Sequence, residues 1–231
     1  SASQRNSVIS HAKELNYLPT SRRSATTKVN VTVTHPNNAS QYFSIPKGTA
    51  FIGRCGNRTY NFLTDKAHSA IRSLTSPSTY VVNDVELFEG RIINETVNIT
   101  DTVLSNPNID TRSLTLKVNG EEYIYKTDVF GVKSTDKVFY LQPENDEKYS
   151  IQFGKDKFGV QPVITDSIVA TYRNTAGASA NGVTSLTLGA FAGASSINVV
   201  VQSQTSGGTD SESIESIRSC APKALQVQDF H

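Results

Sequence analysis

Leu114-Thr-Leu-Lys-Val-Asn-Gly-Glu-Glu-Tyr-Ile-Tyr125 is the segment with the clearest structural signal in this sequence. Asn119-Gly120 separates two runs whose composition is typical of β-strands. An Asn-Gly pair supplies the two positive-φ residues of a type I′ turn, and the twist of that turn matches the twist of the flanking strands. We therefore predict a β-hairpin over residues 114–125.

Patterns with a period of two continue on both sides of this hairpin and predict a mainly β (α+β) fold. Val29, Val31 and Val33 alternate with polar residues, as in a strand that buries one face. Further β-rich runs cover residues 42–45, 49–52, 59–63, 85–88, 92–99, 138–141, 149–153 and 167–172. We predict an antiparallel β body of about ten strands that share one core. Residues 65–74 are compatible with one internal helix.

Helical periodicity replaces this pattern at both ends of the chain. Residues 2–16 place Val8, Ile9, Ala12 and Leu15 on one face, and Asn16 followed by Pro19 indicates a helix end. Near the other end, Thr209-Asp-Ser-Glu212 fits a capping box and precedes a second apolar face, formed by Ile214, Ile217 and Ala221. The sequence therefore predicts an N-terminal helix and connector (1–24), a β-rich domain (25–208) and the start of a C-terminal helical segment (209–231).

Residues 174–209 contain no Asp, Glu, Lys or Arg, although 19% of the chain is charged. Three interpretations are open: a flexible surface loop, a loop pair packed in a protein interface, or buried strands joined by turns of small residues. A flexible linker normally keeps some charge or proline. Because 183–188 and 197–201 look like strands, we favour strands and turns, part of which a partner covers.

Overall composition excludes several classes of function. Lys and Arg number 22 against 21 Asp and Glu, and this near-neutral balance argues against a nucleic-acid partner or adhesion to a charged membrane surface. No apolar run approaches the roughly 18–20 residues that span a bilayer. Because the chain begins at Ser1 without a methionine or a signal peptide, we expect a fragment of a longer protein.

No residue pattern in the sequence predicts a catalytic, cofactor-binding or metal-binding site. The four histidines, none at metal-ligand spacing, are His11, His35, His68 and His231. The acidic clusters at 84–89, 121–122 and 144–147 are interpreted as solvated faces and turns rather than catalytic pairs. We therefore expect no enzyme: no catalytic, cofactor-binding or metal-binding residue, no cofactor and no small-molecule substrate.

Three segments carry a resemblance to a known family. Tyr149–Pro162 resembles the FGDGxFGxxP segment of the baseplate J-like family, although Lys155 and Asp156 stand where the family usually has Asp and then Gly. Gly207–Arg218, followed by an Ala-Pro pair, is similar to the helix entry of the same family. A Gly/Asn turn at 177–182 follows the first segment, as in the family.

The N-terminal third is similar to one branch of that family, the baseplate wedge subunits of T-even, contractile-tailed phages. The similar segments, in family order, are Arg5–Ile9, Tyr17–Ser21, Ile45–Thr49 and Tyr60–Phe62. The resemblance implies a structural, non-enzymatic wedge subunit in the tail baseplate of a virion, assembled in the host cytoplasm. It also implies contacts with a second copy and with other wedge proteins, in a ring around the tail that responds to sheath contraction.

An alternative function is a carbohydrate-binding or carbohydrate-cleaving domain of a tail adhesin. The β-rich sequence, its nine tyrosines and its acidic clusters favour this alternative. The absence of tryptophan weakens it, because exposed indole rings are common platforms for sugars.

We predict that Cys55 and Cys220 are both reduced. Cys220 should react slowly with thiol reagents, because it borders the predicted face of Ile214 and Ile217. Alkylation followed by mass spectrometry without reductant measures both properties. A disulfide between the two cysteines would contradict this prediction.

Overall fold

The computed structural model describes residues 2–14, 17–37, 40–154 and 157–228, and strands dominate this part of the chain. The helices are α1 (Ala2–Glu14) and α2 (Ile214–Gln228), with short 3-10 turns at Asn145–Glu147 and Gly177–Ala180. The strands are β1 (Thr26–Thr34), β2 (Tyr42–Ile45), β3 (Ala50–Cys55), β4 (Arg58–Thr64), β5 (His68–Ile71), β6 (Thr79–Glu89), β7 (Arg91–Val97), β8 (Ile109–Val118), β9 (Glu121–Tyr125), β10 (Val138–Pro143), β11 (Tyr149–Phe153), β12 (Ile168–Asn174), β13 (Leu186–Leu188) and β14 (Ser196–Val201). The predicted mainly β fold is confirmed.

The predicted hairpin is present between β8 and β9. Val118 lies opposite Glu121, and Asn119 and Gly120 have φ angles of 51° and 83°. The Asn119 side chain also donates to the Asp166 carboxylate at 2.8 Å and accepts the amide of residue 167. The turn therefore holds the start of β12 as well as joining its own two strands.

Contacts group the chain into two compact units. The helical unit comprises residues 1–22, 92–174 and 210–231, and the sheet unit comprises residues 23–91 and 175–209. Each unit buries its own apolar cluster, so the expectation of one shared core is wrong. Alternation identifies a buried face but not the sheet to which that face belongs. The division at 24/25 and 208/209 stays a prediction.

The sheet unit contains an antiparallel sheet in the order β13-β3-β4-β6-β1-β14, together with a two-stranded sheet of β2 and β5. Phe51, Phe62, Tyr80 and Leu87 are fully buried in its core. The predicted helix over 65–74 is wrong, because His68–Ile71 pairs with β2 and places Ala70 in the core.

The helical unit contains a sheet in the order β11-β10-β9-β8-β12-β7. β9 and β10 run parallel, whereas β8–β9, β8–β12 and β10–β11 are antiparallel. Residues 102–104 cover the outer edge of β11 through the backbone bonds Leu104 N to Tyr149 O and Ile151 N to Thr102 O. This cover protects one sheet edge from unwanted pairing.

The two helices, both in the helical unit, pack against each other. Their shared apolar cluster consists of Ile9, Ala12, Ile217 and Ala221. Helices of about 10–15 residues are marginal in water alone, so this contact supplies the burial that both need. Leu15 and Asn16, the predicted end of α1, lie outside the described residues. None of the described helices has the length and apolarity needed to cross a membrane.

The predicted capping box at Thr209 is wrong. Thr209 forms a β-bridge with Arg23, and α2 begins five residues later at Ile214. Ser213 is the actual cap, since its Oγ accepts the amide of Ser216 at 3.2 Å. Glu212, the other residue of the predicted capping box, accepts hydrogen bonds from Tyr17 and Thr20 instead.

Tyr172, on β12, is fully buried in the helical unit. Its hydroxyl donates to Glu95 at 2.5 Å and accepts from Asn106 at 2.8 Å. Burial, with the Glu95 carboxylate adding to it, raises the pKa of Tyr172 to about 12. Folding thus favours the neutral phenol, so this contribution to stability is complete below about pH 10 and is lost as the pH rises towards 12.

We expect Tyr172→Phe to lower the free energy of unfolding at pH 7 by about 1–3 kcal/mol, because Glu95 and Asn106 lose a partner. Between pH 9 and pH 11.5, however, the variant should lose less stability than the wild type. Urea unfolding across this pH range measures both effects. Tyr42→Phe, at an exposed position of the sheet unit, is the control. Parallel pH profiles for Tyr172→Phe and wild type would contradict the prediction.

Candidate interaction surfaces

Nearly all of the uncharged span, residues 175–209, lies in the sheet unit, where it supplies two strands. The expected strand at 197–201 is found as β14, whereas only the last three residues of 183–188 form a strand, β13. The span therefore consists of strands and turns, but the expectation of buried strands is wrong for β14, whose residues are half-buried or exposed. Ile197, Val199 and Val201 pack against the core, while Asn198 and Val200 are exposed. Coverage by a partner stays a prediction.

β14 is an edge strand, and it carries no charge. Natural edge strands are commonly protected by charged side chains, proline or a covering loop, because their free backbone groups can pair with another chain. β14 pairs with β1 on one side and is the last strand of its sheet. On its other side β14 lies close to β13, the strand at the opposite end of the sheet order, so this edge is not open to another chain.

The turn at 189–195 is held firmly although its tip is exposed. Phe191 packs edge-on against Phe43, with ring centroids 5.0 Å apart. His35 Nε2 lies 3.0 Å from the carbonyl oxygen of Ala192, and the His35 ring sits where a Cβ on Gly193 would be. The exposed tip around Ala192 is thus an uncharged surface with a defined conformation.

Two of the segments that carry the family resemblance meet in a glycine joint, formed by Gly177, Asn181 and Gly208. The Asn181 side chain donates to the carbonyl of Gly208 and accepts its amide, both at 2.9 Å. A Cβ on Gly208 would lie 2.4 Å from the carbonyl oxygen of Gly177. The glycine is therefore required by close packing of two backbones.

The segment that begins at Phe153 forms a tight loop. A Cβ on Gly154 would lie 1.7 Å from the carbonyl oxygen of Phe158, and Val160 donates its amide to Asp136 O at 2.9 Å. Lys155 and Asp156, the departures from the family pattern, lie outside the described residues. Exposed apolar side chains follow on this loop and on its neighbour at 126–137: Val129, Phe130, Phe158, Val163 and Ile164. Such an exposed apolar set is typical of contact surfaces.

Glu212 joins the start of α2 to the segment after α1. Its carboxylate accepts from Tyr17 OH at 2.9 Å, the Thr20 amide at 2.9 Å and Ser216 Oγ at 2.6 Å. Burial, with Glu212 adding to it, raises the pKa of Tyr17, so the phenol remains a donor. Nothing in the sequence indicates this pairing, because its members lie near opposite ends of the chain.

Three members of the acidic clusters have local partners, and the expectation of a solvated position is wrong for one of them, Glu89. Glu89 is buried and accepts from Thr175 Oγ1, Glu121 pairs with Lys137, and Glu144 accepts from Ser150. Within the described ranges, no group of three or more His, Cys, Asp and Glu could hold a metal ion. The side chains of His11 and His231 lie outside the description, so the expected lack of catalytic, cofactor and metal residues stays a prediction. Both cysteines are free in the structure.

Comparison with known proteins agrees with the resemblance read from the motifs. The chain is 28% identical over 204 residues to baseplate wedge protein gp6 of Enterobacteria phage T4. The match covers 78% of this chain but 30% of that protein, so the chain spans less than a third of its relative. The predicted relationship to a baseplate wedge protein is confirmed. No family model matches the chain, and membership of the J-like family stays a prediction.

We expect Gly208→Ala to lower the free energy of unfolding by about 2–3 kcal/mol, because the new methyl group would collide with the backbone of the glycine joint. Gly189→Ala is the matched control, since a Cβ there meets nothing within 4 Å. Its effect should stay within about 0.5 kcal/mol. Chemical unfolding of both variants measures the difference, and equal stabilities would show that the joint relaxes without cost.

Proposed function

We propose that this chain is part of a structural subunit of a phage tail baseplate wedge and acts through protein–protein contacts. The observation that carries the proposal is its similarity to a baseplate wedge protein over 78% of its length. The uncharged, exposed turn at 189–195 and the exposed apolar loops of the helical unit provide surfaces suited to such contacts.

In this proposal the subunit is located in the virion tail and is assembled in the host cytoplasm. It contacts a second copy of itself and other wedge proteins, in a ring around the tail that responds to sheath contraction. The near-neutral net charge of +1 supports assembly by shape and apolar contact rather than by long-range attraction. A non-enzymatic role is supported by Glu89, Glu121 and Glu144, which are each engaged in local contacts.

The carbohydrate-binding alternative gains no support from the tyrosines. Five of the nine are buried and unable to act as sugar platforms: Tyr60, Tyr80, Tyr123, Tyr149 and Tyr172. Direct binding of host polysaccharide by this chain would favour that alternative over a purely structural role.

We expect Ala192→Glu, in the full-length protein, to leave folding intact and to impair association with the other wedge proteins. Ala192 is exposed, so the new side chain is tolerated in the free protein, whereas a charge buried in an interface without a partner is costly. Analytical ultracentrifugation of the mixed wedge proteins measures the loss, which should be at least about tenfold in affinity.

Asn57→Glu, in the exposed turn between β3 and β4, is the control with the same added charge. Val199→Asp should instead disrupt folding, because Val199 packs against the core of the sheet unit. Normal wedge association by a well-folded Ala192→Glu protein would count against the proposed role of this surface. Failure of the wild-type protein to associate with any wedge protein would overturn the proposed function itself.

A further inference from the structure

The sequence contains two Asn-Gly pairs, Asn119-Gly120 and Asn181-Gly182. In a flexible chain, an asparagine before glycine loses its side-chain amide more readily than other asparagines, because glycine has no side chain to hinder attack by its own backbone nitrogen. Asparagine is one of the residues that limit the chemical lifetime of proteins. Neither the sequence motifs nor the similarity to a wedge protein assigns a role to this chemistry.

Deamidation at an Asn-Gly pair needs only water. The glycine nitrogen attacks the asparagine Cγ, so that an N–Cγ bond forms, the Cγ–Nδ2 bond breaks, and ammonia leaves with the proton of the glycine amide. Water then adds to one of the two carbonyl groups of the cyclic imide and leaves aspartate or isoaspartate. The reaction therefore requires the asparagine side chain to face the glycine nitrogen and to be released from other partners.

Three hydrogen bonds hold Asn119, the first central residue of the hairpin turn. Its Nδ2 donates to Asp166 Oδ1 at 2.8 Å, and its Oδ1 accepts the amide of Ser167 at 2.9 Å. Its own amide donates to the carbonyl of Ser167 at 2.8 Å. We call this arrangement the Asn119 clasp. Because Nδ2 is the atom that leaves as ammonia, deamidation cannot proceed until its bond to Asp166 breaks.

The backbone of the turn also opposes the reaction. Asn119 and Gly120 have positive φ angles, 51° and 83°, as in a type I′ turn. In that turn ψ of the first central residue is about +30°, which places the next nitrogen opposite Cβ across the Cα–C bond. The imide ring needs both atoms on the same side, so the turn must open before the ring can close. Bulk around Gly120 gives no protection, because a Cβ there would meet nothing within 4 Å.

The product of deamidation would prevent the Asn119 clasp from closing again. The Val163 amide, and after it the Asn119 side chain, donate to Asp166 and hold the pKa of its carboxyl below the usual value, so Asp166 is ionised at neutral pH. The product would place a second carboxylate where Nδ2 now donates, and two negative groups in contact repel each other. β12 begins at Ile168, directly after the clasp, so the start of this strand would lose its attachment to the hairpin.

We propose that Asn119 is a latent deamidation site, protected by the Asn119 clasp in the folded chain and converted irreversibly when the start of β12 separates from the hairpin. Asn181 is the internal reference, because its side-chain amide bonds to backbone atoms of Gly208 and no carboxylate takes part in that contact. The proposal does not depend on the proposed function, and its test needs no wedge protein.

The rate of conversion at each Asn-Gly pair measures the protection. The wild-type chain is incubated in mildly alkaline buffer, either folded or unfolded in guanidinium chloride, and is then digested at acidic pH for mass spectrometry of the two Asn-Gly peptides. Folding should slow conversion at Asn119 by at least about tenfold, because both side-chain bonds of the clasp must break before the attack. Equal rates at Asn119 in the folded and unfolded chains would overturn the proposal.

Asp166→Ala removes the acceptor of Nδ2 and should speed conversion at Asn119 in the folded chain by about fivefold or more, without changing the rate at Asn181. Glu122→Ala removes a nearby exposed carboxylate on β9 and is the matched control, with both rates expected to equal those of the wild type. Equal acceleration at Asn119 and Asn181 would show that Asp166 acts through global stability, and no acceleration would show that it protects nothing. Either result would overturn the proposal.

An exchange of side chains tests the effect of the product on the fold. Asn119→Asp places a carboxylate against Asp166 and should raise the unfolding equilibrium constant at neutral pH by about tenfold or more. In the double variant Asn119→Asp/Asp166→Asn, the new amide can donate to the new carboxylate and still accept the Val163 amide, so most of the loss should be recovered. Denaturant unfolding measures both effects. A double variant as unstable as Asn119→Asp, or an Asn119→Asp variant as stable as the wild type, would overturn the proposed effect of conversion.

Discussion

The pairing of β1 with β14 is the contact on which the sheet unit depends. β1 places Val29, Val31 and Val33 at the centre of the core, and β14 covers its outer edge from the far end of the sequence. The buried carboxylate of Glu89, at the end of β6, holds the point where the chain returns to this unit by accepting from Thr175 and from the Ala176 amide. Without β14, β1 would be an unpaired edge strand whose core-facing side chains are valines.

Sequence patterns predicted the features whose causes are local. The Asn119-Gly120 turn, the alternation in β1 and the apolar faces of both helices each depend on residues a few positions apart. The predictions were wrong where residues distant in the sequence determine the local structure. Residues 65–74 can satisfy a helical pattern, but pairing with β2 makes part of them a strand. Glu212 can complete a capping box in principle, yet it binds Tyr17 and Thr20 instead.

The candidate interaction surfaces also differ in how far the sequence alone predicted them. The uncharged span was visible in composition alone, because absence of charge needs no knowledge of the fold. A cleft of the helical unit that is lined by Tyr17, Asp128 and Tyr140 was not visible in the sequence. Its walls come from three separate segments, and Tyr140 is an ordinary strand residue in the sequence. The segment 207–218, which carries part of the family resemblance, contains two structural joints: Gly208 permits close backbone packing, and Glu212 ties a helix to the segment after α1.

The chain passes between the two units after residues 22, 91, 174 and 209. This connectivity constrains the order of events on the ribosome. Residues 23–91 emerge before the two strands of their sheet that are encoded in 175–209, with residues 92–174 translated in between. The helical unit likewise waits for α2 before α1 has a partner. Neither unit can complete its fold until its last segment, 175–209 or α2, has left the ribosome, so the nascent chain must keep unpaired strands from aggregating until then.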